Sequence, residues 1–307
     1  MKCPLCMKEN SYLLEAINKK LLMKQYEKLT KIDFTYLIKE EIKYFECAEC
    51  SLRFFYPLIT GDERFYKSLQ NFDWYYVDDK LEYQYAKDYV LAGDVVLDVG
   101  SGKGAFSKHV SEKNGEFIGL DFSENAKIMA QENGIDIRLE SILDYADKYP
   151  ESVDVVTSFQ VLEHIDDPKS FLESKLKALK VGGKMIIAVP SEDSFLSTVT
   201  NGILNMPPHH VTRWTDDSLR YIAEKYNLDL VNIFHEKVQD IHKNYFLSVL
   251  VQKGILKPIL LDGSIIRKLV GRFSSCLAKI LSNGFTDDLR PAGHNVIAIY
   301  KKKETLN

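Results

Sequence analysis

No stretch of the chain is apolar for the ~20 residues that a membrane-spanning helix needs. The start, Met1-Lys2-Cys3-Pro4-Leu5-Cys6, lacks the apolar core of a secretory signal. Neither a membrane span nor export is therefore expected, and the cytoplasm is the compartment the sequence points to. Proline is scarce (9) and glycine modest (16) among 307 residues, which excludes a collagen-like or mainly disordered chain. No charge sign dominates: 40 Lys and Arg against 44 Asp and Glu leave a net charge of −4. A protein that grips nucleic acid through a broad phosphate-neutralising surface carries a basic footprint, so nucleic acid is not an expected partner. What remains, 45% hydrophobic and 27% charged, is a globular chain. Its length suits one large α/β domain with appendages, or two ordinary domains.

Cysteine is also sparse, but four of the five fall into two pairs, Cys3-x-x-Cys6 and Cys47-x-x-Cys50, with Cys276 alone. In a reducing compartment two such knuckles suggest a tetrahedral, four-thiolate Zn²⁺ site, which is structural because no coordination position stays open. The 40 residues between the knuckles require a substantial insertion. There Leu13, Leu14, Ile17, Leu21, Leu22 and Tyr26 show helical spacing, with lysines on the other face. Residues 1–80 hold 13 basic and 13 acidic side chains, so this module does not look like an RNA reader. A zinc-binding module over 1–60 and an aromatic-rich helical connector over 61–93 are expected. Within the connector, Trp74, Tyr75 and Tyr76 are candidates for lining a substrate pocket, although aromatics more commonly pack as core.

At Asp94 the texture changes. Val95-Val96-Leu97-Asp98-Val99 reads as a parallel strand buried on both faces, and it runs into Gly100-Ser101-Gly102-Lys103-Gly104 and then a helix-forming stretch. Strand, glycine loop and helix is a nucleotide-binding arrangement, because glycines let a ligand approach the backbone. A second strand, Phe117-Ile118-Gly119-Leu120, ends in Asp121, where an acid can accept both hydroxyls of a ribose. The loop matches neither the dinucleotide G-x-G-x-x-G pattern nor a P-loop, and the Asp98 carboxylate would repel a phosphate. It suits a ligand carrying an ammonium or sulfonium instead.

On these residues, residues 94–190 resemble a class I S-adenosylmethionine-dependent methyltransferase. Ser152-Val153-Asp154-Val155-Val156, Val161-Leu162-Glu163-His164-Ile165 and Leu179-Lys180-Val181-Gly182-Gly183-Lys184 continue the resemblance in order. It implies an α/β, Rossmann-like sheet of seven strands, mostly parallel, with Asn295-Val296-Ile297-Ala298-Ile299-Tyr300 as an antiparallel last strand. The methyltransferase domain would fill 94–307, with a mainly helical insertion at about 240–290 that serves as a pocket cover or a homodimer face. The resemblance also places Gly100, Gly102 and Gly104 by the methionine part of the cofactor, Asp121 on the ribose and Phe122 beside the adenine, with Asp98 and Ser101 as further cofactor-binding candidates. Where the family often has an Asp before an adenine-facing apolar residue, this chain has Ser141 and Ile142. Phe159 and Gln160 should border the sulfonium, and His164 reads as a brace for a helix start.

Methyl transfer to a hydroxyl requires alignment and removal of a proton. Pro207-Pro208-His209-His210-Val211-Thr212-Arg213-Trp214 offers two imidazoles in a stiff loop, just before a helix from Thr215 or Asp216. His210 is the expected general base and His209 its orienting partner; the alternative is that both rings brace the pocket. The expected reaction is methylation of a small-molecule acceptor, a sugar or nucleotide-sugar by analogy with similar His-His-Val-x-x-Trp stretches. An RNA methyltransferase with a zinc ribbon, or a non-catalytic zinc-stapled binding protein, are the alternatives.

Overall fold

The computed structural model describes residues 1–72, 75 and 77–304. Trp74 and Tyr76, two of the three aromatic candidates for the pocket, lie outside the described residues. The chain begins with β1 (Ser11–Ile17), α1 (Lys19–Thr30), β2 (Ile42–Cys47) and β3 (Arg53–Tyr56). Two short helices follow, α2 (Glu63–Leu69) and α3 (Leu81–Ala86). Strands and helices then alternate as β4 (Val95–Val99), α4 (Ser107–Glu112), β5 (Glu116–Leu120), α5 (Glu124–Glu132), β6 (Ile137–Arg138), α6 (Ile142–Lys148), β7 (Val153–Phe159), α7 (Pro168–Ala178) and β8 (Leu179–Pro190). The last part adds β9 (Thr212–Arg213), α8 (Asp216–Lys225), β10 (Leu228–Lys237), α9 (Lys243–Ile255), α10 (Ile265–Leu281) and β11 (Ala292–Lys302).

The large sheet has seven strands in the order β10-β11-β8-β7-β4-β5-β6. β4, β5, β6, β7 and β8 are mutually parallel, whereas β11 runs antiparallel to both β8 and β10. This is the expected Rossmann-like methyltransferase sheet, and β11 is its antiparallel last strand. The apolar runs exist because helices cover both faces: Val96, Leu97, Val155, Val156, Ile186, Ile187, Ile297 and Ile299 are all essentially inaccessible. The carboxyl ends of β4, β5 and β7 therefore meet along one edge, where open α/β sheets bind ligands.

A second sheet of four strands has the order β1-β2-β3-β9, antiparallel throughout. It carries the cysteine knuckles, yet its fourth strand comes from a point more than 150 residues further along the chain. Thr212 pairs with Phe54, Arg213 with Arg53, and the Phe55 N–H donates to the Val211 carbonyl at 2.9 Å. The segment directly after His209 and His210 is thus clamped to the cysteine module.

The helix expected over 13–26 begins only at Lys19. Residues 11–17 instead form β1, which pairs with β2 across a bulge between Leu13 and Glu15. Pairing with β2 overrides the local apolar spacing, and Asn18 marks the switch by accepting a hydrogen bond from the Leu21 N–H at 3.1 Å. The expected insertion is two packed helices, α9 and α10, with Ile265, Ile266, Leu269, Phe273 and Ile280 of α10 exposed. Among the described residues no helix is long and apolar enough to cross a membrane.

Candidate active site

One continuous cleft of ≈ 1890 Å³ runs along the carboxyl edge of the large sheet and reaches the loop before β9. Gly100, Ser101, Gly102, Asp121, Phe122, Ser141, Ile142, Phe159, Gln160, His209 and His210 all line it. Of the other expected site residues, Gly104 and Asp98 do not form its wall. The glycines are needed for shape. Gly100, Gly102 and Gly104 have φ of +72°, +54° and +76°, a left-handed conformation that side-chain-bearing residues disfavour. A β-carbon at position 100 would also sit 2.5 Å from Val161 Cγ2.

The loop is built for a ligand without phosphates. The N–H groups of Gly100 and Ser101 donate to the Leu120 carbonyl, that of Gly104 to the Ser101 carbonyl, and that of Gly102 to Asp121 Oδ2 at 2.8 Å. They are spent internally and make no anion-binding nest. Carboxylates flank the loop instead. Asp121 also accepts from the Ser123 N–H at 2.8 Å, and burial raises its pKa. Asp98 lies beneath the loop, where the Thr157 hydroxyl donates to it at 2.7 Å and burial pushes its carboxyl up to about 6. Phe122 projects into the cleft with 79% of its surface exposed. Ser141 caps α6, accepting from the Asp144 N–H at 3.0 Å, which leaves Ile142 as the apolar wall. At the end of β7, Phe159 stacks edge-on against Tyr83, and Gln160 adopts φ +59° and donates to Glu82 at 3.1 Å. A left-handed non-glycine residue at this point is the kind of strain that binding sites hold.

At the other end of the cleft three imidazoles meet. His164 sits in a tight helical turn after β7, and His209 and His210 come from the loop before β9. Ring centroids of His164 and His209, His164 and His210, and His209 and His210 lie 4.6, 4.7 and 4.5 Å apart. Each Nδ1 is bonded to an acceptor: His164 to the His209 carbonyl at 2.6 Å, His209 to the Leu204 carbonyl at 2.8 Å, and His210 to Asn205 Oδ1 at 2.9 Å. Since those oxygens only accept, each Nδ1 carries the hydrogen and each Nε2 a lone pair. Burial lowers His164 to about 4 and holds His209 and His210 well below the usual histidine range. Glu163 is buried beside them, both its carboxylate oxygens without a hydrogen-bond partner, and burial raises it to about 8. His164 and Glu163 are part of this centre although the sequence marked His164 only as a brace. His164 does brace, but the element it holds is the distant histidine loop.

The loop is held from the cysteine module. The Tyr26 hydroxyl donates to the Ile203 and Met206 carbonyls at 2.5 and 2.9 Å. Buried Glu192 accepts from the Tyr44 hydroxyl at 2.9 Å and from Arg53 at 3.0 Å, with Arg213 Nη1 at 3.5 Å. Arg213 lies over the Tyr44 and Phe55 rings and donates to the carbonyl of Asn205, the residue whose side chain orients His210. None of the four paired cysteines lines the cleft. Their sulfurs are buried within 4.8 Å of one another, with Cys3 to Cys50 at 3.6 Å and Cys6 to Cys47 at 3.4 Å. A tetrahedral zinc with ~2.3 Å bonds would separate its sulfurs by about 3.8 Å, so this donor set fits the ion.

An internally bonded glycine loop, flanking carboxylates and an acid at the end of β5 fit S-adenosylmethionine, and the fold and site together define a class I S-adenosylmethionine-dependent methyltransferase. A family model described as "Methyltransferase domain" matches residues 70–233, and the chain belongs to that family. Curated relatives include the ubiquinone biosynthesis O-methyltransferase of Idiomarina loihiensis, 40% identical over 104 residues, covering 32% of this chain and 43% of that one. The same-named enzyme of an Azoarcus species is 31% identical over 176 residues, covering 52% of this chain and 74% of its own. The match to the relatives from Idiomarina loihiensis and Proteus mirabilis thus spans 43% and 66% of their lengths. These names lend no support to the sugar or nucleotide-sugar acceptor expected from the sequence. In fold, the chain is similar to an S-adenosylmethionine-dependent methyltransferase from Archaeoglobus fulgidus, with a TM-score of 0.53 and 20% identity, covering 78% of this chain and 100% of that one.

Proposed function

We propose that the protein methylates a hydroxyl group of a ring-bearing, largely apolar small molecule. The observation that carries this reading is the continuity of the cleft: the glycine loop and the histidine cluster face one space. At ≈ 1890 Å³ that space is about twice the usual upper size of a single-ligand pocket, ~1,000 Å³, enough for a cofactor and an acceptor together. Its acceptor end is walled by Tyr66, Leu196, Val199, Ile203, Leu204 and Tyr245 beside the imidazoles, with Asn201, Gln239 and His242 as the polar groups among them. Against such walls the many hydroxyls of a sugar would lose more water than these few polar groups replace, and the O-methyltransferase names of the relatives agree with a hydroxyl acceptor.

When bound, S-adenosylmethionine supplies an electrophilic methyl group on a positively charged sulfur. Asp121 would accept the ribose hydroxyls, Phe122 and Ile142 would flank the adenine, and Phe159 and Gln160 would border the reacting end. Gly100, Ser101 and Gly102 let the methionine part reach the backbone, and Asp98 contributes negative charge from below. His210 and His209 form the acceptor side. Both are neutral at cellular pH, and His210 has its lone pair available to ease removal of the hydroxyl proton. Cys3, Cys6, Cys47 and Cys50 hold a structural Zn²⁺ that stiffens the sheet carrying β9.

The test is turnover on a panel of catechols and quinols set against free and nucleotide-linked sugars, with S-adenosylhomocysteine affinity measured in parallel. Methylation confined to the ring hydroxyls is expected. His210→Ala should lower that turnover by roughly 10²–10⁴-fold while cofactor affinity holds. Turnover on sugars alone would overturn the acceptor assignment.

A further inference from the structure

We infer that His164, His209 and His210, joined by Glu163, bind a divalent first-row transition cation at the acceptor end of the cleft. Only the ion's role in methyl transfer rests on the reading above; the site itself follows from four side chains. A ring nitrogen of each histidine lies within 4.8 Å of the other two. Every Nδ1 is anchored on an oxygen, the outer arrangement by which metal-binding histidines fix their ligand nitrogen. Glu163 adjoins two of them: its Oε1 lies 4.0 Å from Nε2 of both His164 and His210. A four-coordinate ion with ~2.1 Å bonds needs donor atoms about 3.4 Å apart, so the Glu163 contacts to His164 and His210 have about 0.6 Å to close and the histidine nitrogens at most about 1.4 Å.

A buried carboxyl group with both oxygens unpartnered is costly and calls for a cause. The Nε2 atoms of His164 and His210 both lie near Glu163 Oε1, and a cation between them would gather their lone pairs and that carboxylate. Among the described residues the nearby Arg213 is committed to Glu192 and the Asn205 carbonyl, and Lys80, whose charge favours an ionised Glu163, lies over the Tyr83 ring. Imidazole-rich donors with one carboxylate suit zinc, iron, cobalt or nickel better than magnesium or calcium. All four residues line the cleft, so a coordination position can face the acceptor.

The ion alters how His210 acts: its Nε2 becomes a ligand, and the ion's charge, instead of a free imidazole, promotes loss of the acceptor proton. The O–H bond breaks and its proton leaves to water in the open cleft. The oxygen's lone pair then forms the O–C bond as the methyl–sulfur bond breaks, and sulfur keeps that bonding pair.

Cobalt(II) is the probe, titrated into the full chain after its cysteine cluster has been charged with zinc. We expect one further equivalent per chain, with a spectrum free of sulfur-to-cobalt charge transfer. Glu163→Gln and His164→Asn should each weaken it at least ~10-fold, and Asn205→Ala, which removes only the acceptor on His210 Nδ1, by ~10–100-fold. Asn205→Asp restores that acceptor and should restore affinity, which a variant that merely loosens the loop would not do. No cobalt uptake beyond the cysteine cluster, or equal affinity in wild type, Glu163→Gln and Asn205→Ala, overturns the inference. S-adenosylhomocysteine titrations on the same samples separate the two readings. Cofactor binding without cobalt binding removes this site only, and cobalt binding without cofactor binding removes the methyl-transfer reading only.

Discussion

Replacing Glu192 with Gln should destabilise the protein by about 2–4 kcal/mol and loosen the histidine loop without touching the cofactor end. Glu192 is only 4% exposed and is the anion shared by Tyr44, Arg53 and Arg213. Breaking a buried ion pair from one side costs roughly 3–5 kcal/mol, because the partner charge stays buried and uncompensated. Arg213 meets that condition, with 4% of its side chain exposed, whereas Arg53 at 29% is partly screened by water and adds little. Gln keeps the volume and one accepting oxygen, which trims the loss to the stated range. Urea unfolding with intrinsic fluorescence, supported by a melting temperature lower by roughly 3–6 °C, reads it. Because Arg213 also donates to the Asn205 carbonyl, acceptor KM should rise in the variant. S-adenosylhomocysteine affinity should stay within about twofold, as expected for well-separated sites. A destabilisation below about 0.5 kcal/mol would refute the account of this network, since that is the scale of an ordinary surface substitution. Loss of cofactor affinity in step with turnover would refute the separation of the two ends.

Gly100→Ala must adopt φ +72° and place its β-carbon 2.5 Å from Val161 Cγ2, so cofactor affinity should fall at least ~10-fold; adding Val161→Ala should relieve the clash but leave the ~1–2 kcal/mol backbone cost. Calorimetric titration of both variants checks this, and wild-type affinity in Gly100→Ala contradicts it. Cys47→Ser should lose one zinc equivalent by elemental analysis and melt earlier, because metal binding energy is folding energy; unchanged zinc content would count against the cysteine site. Buried Lys175 donates to the Ser158 hydroxyl at 2.7 Å, and burial lowers it to about 7. Between about pH 7 and 10.5 the unfolded chain holds the proton that the folded chain has released, so stability should climb with pH there. Lys175→Met should flatten that climb in urea titrations, and an unchanged slope would show that Lys175 remains charged in the fold.

The large sheet was legible because a parallel strand covered on both faces is mostly apolar: β4 is broken only by Asp98, and β7 carries Val153, Val155, Val156 and Phe159 among its polar residues. The loop after β4 was legible because its left-handed backbone demands glycine, and Asp121 because it ends the next strand. The small sheet was hidden. β9 has two residues, Thr212 and Arg213, and only its pairing with β3 makes it a strand. Leu13, Leu14 and Ile17 fit a helix as well as a strand, and the choice was made by β2, a partner distant in sequence. The histidine pair stood out by composition, but His164 and Glu163 joined it only when the 160s turn and the 200s loop met in space. Asn205, Glu192 and Arg213 gave no signal at all, since their roles are defined by partners from three separate stretches of chain. For His164 and Glu163 one cue was available: two ionisable residues directly following a buried strand at the ligand-binding edge.

Calorimetric titration of the full chain with S-adenosylhomocysteine tests the central claim most directly, because it needs no knowledge of the acceptor. Saturable binding at one molecule per chain is the expected result. Asp121→Ala, which strips the partner from the Gly102 and Ser123 N–H groups along with the proposed ribose acceptor, should weaken it at least ~10-fold, or about 1.4 kcal/mol. No binding heat in the wild type, or the same affinity in Asp121→Ala, would contradict a cofactor site on the glycine loop.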